Sequence, residues 1–145
     1  MQCPRLCDLV MLAPVALAAT ALSAQAAWLE VRVTGIPDDR GHLACSLHAE
    51  AAGFPEGPGL ARQRVTPQGG QGLCRFDDVP PGRYAVAVMH DANDNGQLDV
   101  NLLGMPVEGW GVSGKAAPRL RPPRFDEAAF DIGADPGFVD IQLQP

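Results

Sequence analysis

The stretch His90–Asn101, HDANDNGQLDVN, is the densest run of oxygen-bearing side chains in the chain. Asp91, Asn93, Asn95 and Asp99 fall on alternate positions, with Gly96 between them. Calcium takes about six to eight hard oxygens, and a tight turn that aims every second side chain inward can supply them. In the calcium loop of helix–loop–helix proteins, the first, third, fifth and ninth residues carry side-chain oxygens. The sixth is glycine, and the seventh gives its backbone carbonyl. With Asp91 placed first, Asp91, Asn93, Asn95, Gly96, Gln97 (through its carbonyl) and Asp99 all match, and Leu98 fills an apolar slot. The match breaks at the closing position, where a bidentate glutamate belongs and Leu102 stands. Glu108, the next acid along the chain, is the candidate for the missing ligand. A competing reading needs no ion. Asn and Asp form Asx-turns and tolerate left-handed backbone, so DANDNG also suits a capped hairpin loop.

His90 beside Asp91 raises acid–base chemistry. With Glu108 and Trp110 it defines a rival ligand-binding or hydrolytic site. Adjacent strand residues face opposite ways, so His90 and Asp91 form an orienting pair only across a bend. His90 also continues the inward phase of Tyr84, Val86 and Val88, which predicts a histidine held by backbone at the rim of the core. His42 and His48 have no metal-ligand spacing with it. GVSGK (Gly111–Lys115) fits neither the nucleophile elbow nor the phosphate loop, and Ser113 and Lys115 read as loop residues. No residue is assigned a catalytic role, and the leading expectation is a non-enzymatic module.

The elements that must hold these residues are strands. WLEVRVTG places Leu29, Val31 and Val33 on one face and Glu30 and Arg32 on the other. The same period of two runs through Leu43, Cys45, Leu47, through Tyr84, Val86, Val88 and through Val139, Ile141, Leu143. Turn signals separate these runs: GIPDDRG, TPQGGQG, DDVPPG and GADPG. The pattern predicts an all-β fold, a single-domain antiparallel β-sandwich. Helix is confined to a short turn after Pro58 in GPGLARQRV and another in DEAAF. Gly104–Arg124, rich in Gly and Pro, reads as one long loop away from the sheet. In FDDVPPGRYAVAV a proline–glycine turn feeds a strand led by Tyr84. This element resembles the turn and strand of transthyretin-like (prealbumin-like) and carboxypeptidase-regulatory-like sandwiches, where the aromatic packs inward.

Compartment follows from the ends and the cysteines. Met1–Ala26 has a basic residue, Arg5, then a small apolar run and the AQA cleavage pattern, and reads as a secretory signal. That leaves Ala27–Pro145 as one β-sandwich domain. The apolar run, Leu9 to Leu22, is shorter than the ~20 residues of a spanning helix, so no membrane span is expected after cleavage. Cys3 and Cys7 precede that run, which argues against lipidation. The remaining pair, Cys45 and Cys74, is expected to form a disulfide in a periplasmic or secreted protein. A formal charge of −6 argues against nucleic acid, and the one basic cluster, KAAPRLRPPR, reads as a solvated loop. Protein or glycan partners are left open, with Trp110 covering the end of the core in preference to forming a contact surface.

Three stretches together carry a family likeness: LEVRVTGIPDDRGHLACSLH, FDDVPPGRYAVAVMHDANDNGQLDVNLLGMPVEGWGVS and PPRFDEAAF. They resemble the bacterial domain-of-unknown-function family 2141. The most specific part is H-D-x-N-x-N-G-x-L-D-x-N followed by G-x-P-x-E-G, between His90 and Ser113. The resemblance implies export and a single β-domain, and it implies no activity. The chain departs from the family pattern at Trp110, Val112 and Gly114, where Tyr, Phe and Asn are expected.

Overall fold

Alternation of apolar and polar residues builds the first sheet. In the computed structural model, which describes residues 27–114 and 121–144, β1 (Ala27–Thr34) buries Ala27, Leu29, Val31 and Val33 and turns Arg32 to solvent. The expected leader, Met1–Ala26, lies outside the described residues, as do Lys115 and Arg119 of the basic cluster. β1 is the middle strand of three, between β4 (Gly72–Val79) and β8 (Gly137–Gln142). β4 joins it antiparallel, with a bulge where Asp78 takes a left-handed φ of 56°, a conformation Asp adopts more readily than most residues.

The second sheet runs β3 (Ala61–Val65), β2 (His42–His48), β5 (Gly82–Asp91), β6 (Trp110–Val112), and β7 (Phe130–Ile132) pairs with the first residues of β5. Every named pairing is antiparallel except β1–β8. That parallel pair corrects the expectation of an antiparallel fold throughout. Its cause is topological: β8 returns to β1 after all the other strands, so no hairpin sets its direction.

The two sheets pack face to face over one core. Leu29, Val31, Val33 and Phe76 meet Leu43, Leu47, Tyr84, Val86 and Val88. Cys45 in β2 and Cys74 in β4, both fully buried, are joined in a disulfide that staples one sheet to the other. Tyr84 packs inward as expected, and its hydroxyl donates to Pro80 O at 2.9 Å, fastening the strand to the turn before it.

β5 is covered on both faces. Ala85 and Ala87 point away from the main core and are small enough to admit a second layer of Val112, Phe125 and Ala128, with Phe54 and Trp110 packed beside them. This layer corrects the reading of Gly104–Arg124 as a loop, because Trp110–Val112 is a strand of the sheet. The apolar face of Ala85 and Ala87 needs covering, and Gly111 makes the fit possible: a Cβ there would lie 2.7 Å from Ile141 Cγ2. Trp110 and Gln144 exchange backbone hydrogen bonds of 2.9 and 2.8 Å, which close the seam between the sheets. Ser113, expected as a loop residue, sits in the bend just past β6. It is buried, its hydroxyl donates to Ala128 O at 2.7 Å, and Val86 N donates to it at 2.8 Å.

GPGLARQRV forms β3, not a helical turn, because β2 offers an open edge from Leu43 to Leu47 that pairing satisfies. DEAAF does supply a turn of helix, α1 (Phe125–Ala128). Glu127 accepts the Arg124 N–H at 2.9 Å and pairs with Arg121. These contacts hold its carboxyl down to about 2, Arg121 being the larger cause.

Candidate functional site

β5 delivers His90 and Asp91 to one end of the fold, both buried. Alternation sends them to opposite faces. The His90 ring donates from Nε2 to Arg40 O at 2.7 Å, so backbone holds it, as its phase predicts. Asp91 turns the other way and organises the loop that follows. Its Oδ1 accepts the Asn95 N–H at 3.0 Å and its Oδ2 the Gly96 N–H at 2.9 Å. Asn93 Oδ1 accepts the Asn95 N–H at 3.0 Å, and Asn95 Oδ1 the Gln97 N–H at 2.8 Å. The chain reverses through two left-handed residues, Asp94 (φ 59°) and Gly96 (φ 78°). Glycine reaches that region without steric cost and Asp with little, which accounts for both residue types.

The alternate side chains converge. Asn93 Nδ2 donates to Asp99 Oδ2 at 2.7 Å, and Asn95 Nδ2 to Asp99 Oδ1 at 2.9 Å. Glu108 folds back onto the same loop. Its Oε1 accepts the Ala92 N–H at 3.0 Å and its Oε2 the Asp99 N–H at 3.1 Å, so one carboxylate bridges the two sides of the neck. A further bond from Val107 N to Asp99 O, 2.9 Å, brings the returning chain into place. The structure therefore gathers Asp91, Asn93, Asn95, Asp99 and Glu108. Gln97 takes part through its backbone, and its side chain is exposed.

Arg64, which sequence reasoning did not single out, and His42, which it weighed only for metal-ligand spacing with His90, complete the surroundings. Arg64 Nη2 lies 3.1 Å from Asp94 Oδ1 and 3.7 Å from Asp91 Oδ2, and His42 Nδ1 contacts Asp94 Oδ1. The His42 hydrogen bond, with the Arg64 charge nearby, holds the Asp94 carboxyl below its ordinary value. Strand register brings them there: His42 pairs with Asp91, and Arg64 lies one strand further out opposite Ala44. No local motif announces such a neighbour. Asn101 was also missed, although an Asn side chain that accepts a backbone N–H two residues on, as Asn101 does from Leu103, makes an Asx-turn.

The rival quartet lies at one end of β5, where His90 N donates to Gly109 O at 2.7 Å. Asp91 and Glu108 share the loop, while His90 is committed to Arg40 O. Trp110 pairs with Met89 and lies half-buried against the Ala85–Ala87 layer. Among the described residues, no three His, Cys, Asp or Glu side chains form a metal cluster. The oxygens at this loop are instead a mixture of carboxylates and amides.

A family model for uncharacterised proteins conserved in bacteria, domain-of-unknown-function family 2141, matches residues 31–138. The chain belongs to this family. The span that family 2141 covers includes both bonded cysteines, the whole acidic loop, Glu108 and β6. No curated protein and no solved structure shows a significant match to the chain.

Proposed function

We propose that this member of family 2141 is an exported, non-enzymatic binding module of transthyretin-like sandwich form, whose loop takes up calcium. Asp91, Asn93, Asn95, Asp99 and Glu108 would hold the ion, with the Gln97 carbonyl. Calcium would supply charge neutralisation and order, not reaction chemistry. The observation that carries the reading is the position of Glu108. It reaches back to the loop neck within hydrogen-bond distance of Ala92 and Asp99, where the sequence pattern lacks its closing glutamate. Left-handed Asp94 and Gly96 support it, since they turn Asn93 and Asn95 toward Asp99. The apolar leader and the buried disulfide support a periplasmic or secreted location.

Calorimetric titration of the metal-stripped protein with calcium chloride tests the reading. A saturable heat is expected, with dissociation constants of about 10⁻⁵–10⁻³ M for so modest a charge count. Asp99→Asn preserves the side-chain shape and removes one charge. It should weaken binding by about tenfold or more, and it should lower the metal-free melting temperature slightly, because one of the Asn93 and Asn95 amide donors loses its acceptor. Absence of heat up to millimolar calcium would sink the proposal.

A further inference from the structure

Asn95–Gly96 is the one Asn–Gly step in the chain, and both residues are exposed to water. An asparagine in such a step can close a five-membered ring on its own backbone. The ring atoms are Cγ, Cβ, Cα and C of Asn95 and the nitrogen of Gly96. Glycine favours the closure because it has no Cβ to crowd the approach. Closure needs a base for the Gly96 N–H, a donor for the oxygen of the attacked carboxamide, and a departing amine.

The loop supplies all three. Asp91 Oδ2 accepts the Gly96 N–H at 2.9 Å, which is the reach a general base needs. Asp91 is buried at the end of β5, and its Oδ1 is held by the Asn95 N–H at 3.0 Å, so the base is fixed in place. Asn95 Oδ1 accepts the Gln97 N–H at 2.8 Å. Negative charge gathers on that oxygen when Cγ is attacked, and a backbone donor already faces it. The same bond is an Asx-turn, which folds the carboxamide across the Gly96 peptide. Asn95 Nδ2 donates to Asp99 Oδ1 at 2.9 Å, which fixes the end of the carboxamide that departs.

We propose that Asn95–Gly96 is a self-modification site, where Asp91 acts as base and the Asn95 amide is converted to a carboxylate. Asp91 takes the Gly96 amide proton, and the nitrogen lone pair forms a bond to Asn95 Cγ. The Cγ–Nδ2 bond breaks, and Nδ2 leaves as ammonia with the proton that Asp91 took, relayed by water. The cyclic imide left behind is opened by a water molecule at either of its carbonyls. The product at position 95 is aspartate, or its isomer linked through the side-chain carboxyl. One water is consumed, one ammonia is released and nothing is oxidised or reduced. The new carboxylate faces Asp99 Oδ1 where an N–H donor stood, so the loop gains a negative charge and loses a hydrogen bond. The chemistry uses no metal and stands apart from calcium uptake.

The test follows the full chain by peptide-mapping mass spectrometry during incubation with a metal chelator. Aspartate and isoaspartate at position 95 should form about tenfold or more faster in the folded chain than in the same chain unfolded in guanidinium chloride. The folded rate should change little between about pH 6 and 8, since a carboxylate base needs no hydroxide, while the unfolded rate climbs with pH. Asp91→Asn should return both the rate and its pH dependence to the unfolded pattern. A folded rate equal to or below the unfolded one overturns the proposal, because the loop's hydrogen bonds would then be protecting the amide. So does a folded rate that climbs with pH as the unfolded one does. Conversion of the Asp91→Asn variant as fast as the parent overturns it too.

Discussion

Glu108 shows how much one side chain can do when both its oxygens are used. It spans the neck between Ala92 and Asp99 and bonds both of their N–H groups. Glu108→Ala should lower unfolding free energy by about 1–3 kcal/mol, read from urea denaturation, because two N–H groups lose a charged acceptor. Glu108→Gln keeps one acceptor oxygen and should cost roughly half as much. Ser113 is a second such residue, bridging Ala128 O and Val86 N inside the β5–α1 layer. Ser113→Ala leaves both buried groups short of a partner and should cost about 1–2 kcal/mol in the same assay. If the hydroxyl were nucleophilic in function, the substitution would abolish an activity without this loss. Its two backbone contacts inside a closed layer argue for the structural outcome.

Among the elements, β6 depends most on a single residue. It is short, it lies at the end of a Gly- and Pro-rich segment, and it reaches Ile141 only because Gly111 has no Cβ. Gly111→Ala would press a methyl group to 2.7 Å from Ile141 Cγ2 and 3.2 Å from Gln142 O. The expected cost is about 1–3 kcal/mol, as for other overpacked sites. Hydrogen exchange should localise it. The Trp110 and Gln144 amides, which close the seam, should exchange faster, while β1–β4 amides keep their protection. Uniform acceleration across both sheets would show that the seam is not a separate unit.

For the molecule as a whole, the disulfide and the titrating groups make stability depend on redox state and pH. Reduction of Cys45–Cys74 removes the covalent link between the sheets and should cost about 2–4 kcal/mol, measured by denaturation with and without reductant. Acid should act in two stages. Burial, reinforced by the Arg62 charge, lowers the His48 pKa below its unfolded value of 6.5. The stability His48 contributes is therefore complete above pH 6.5 and declines as pH falls toward its lowered folded value. Glu127, Asp39 and Asp94 are all depressed, by Arg121, by the Gly70 and Gly69 N–H groups and by His42 respectively. Their contribution is present above the unfolded values of 4.5 and 3.8 and is lost as pH falls through the folded ones, about 2 for Glu127. Melting temperature should fall first below about pH 6.5 and again below about pH 4.5. His48→Gln should remove the first step and keep the second.

Periodicity of two was enough to read β1, β2, β5 and β8 from the residues, and with them the inward set Leu29, Val31, Val33, Leu43, Leu47, Val86 and Val88. Each of those strands buries at least one face, so burial and alternation are the same fact written twice. The loop was legible too, because Asx-turns and a left-handed glycine are local and depend on residue type at fixed spacing. Other features could not be read locally. The parallel entry of β8, the edge pairing that makes β3 a strand, and the approach of Arg64 and His42 to Asp94 all depend on which strands become neighbours. β6 was hidden because its pairing answers a need on β5, an alanine face wanting cover, and not a preference of its own sequence. The return of Glu108 to the loop belongs with these. Chain order allowed it, but the hairpin that swings the chain back across the neck is held by Asn101 and by the Val107–Asp99 bond, contacts that exist only once the chain has turned.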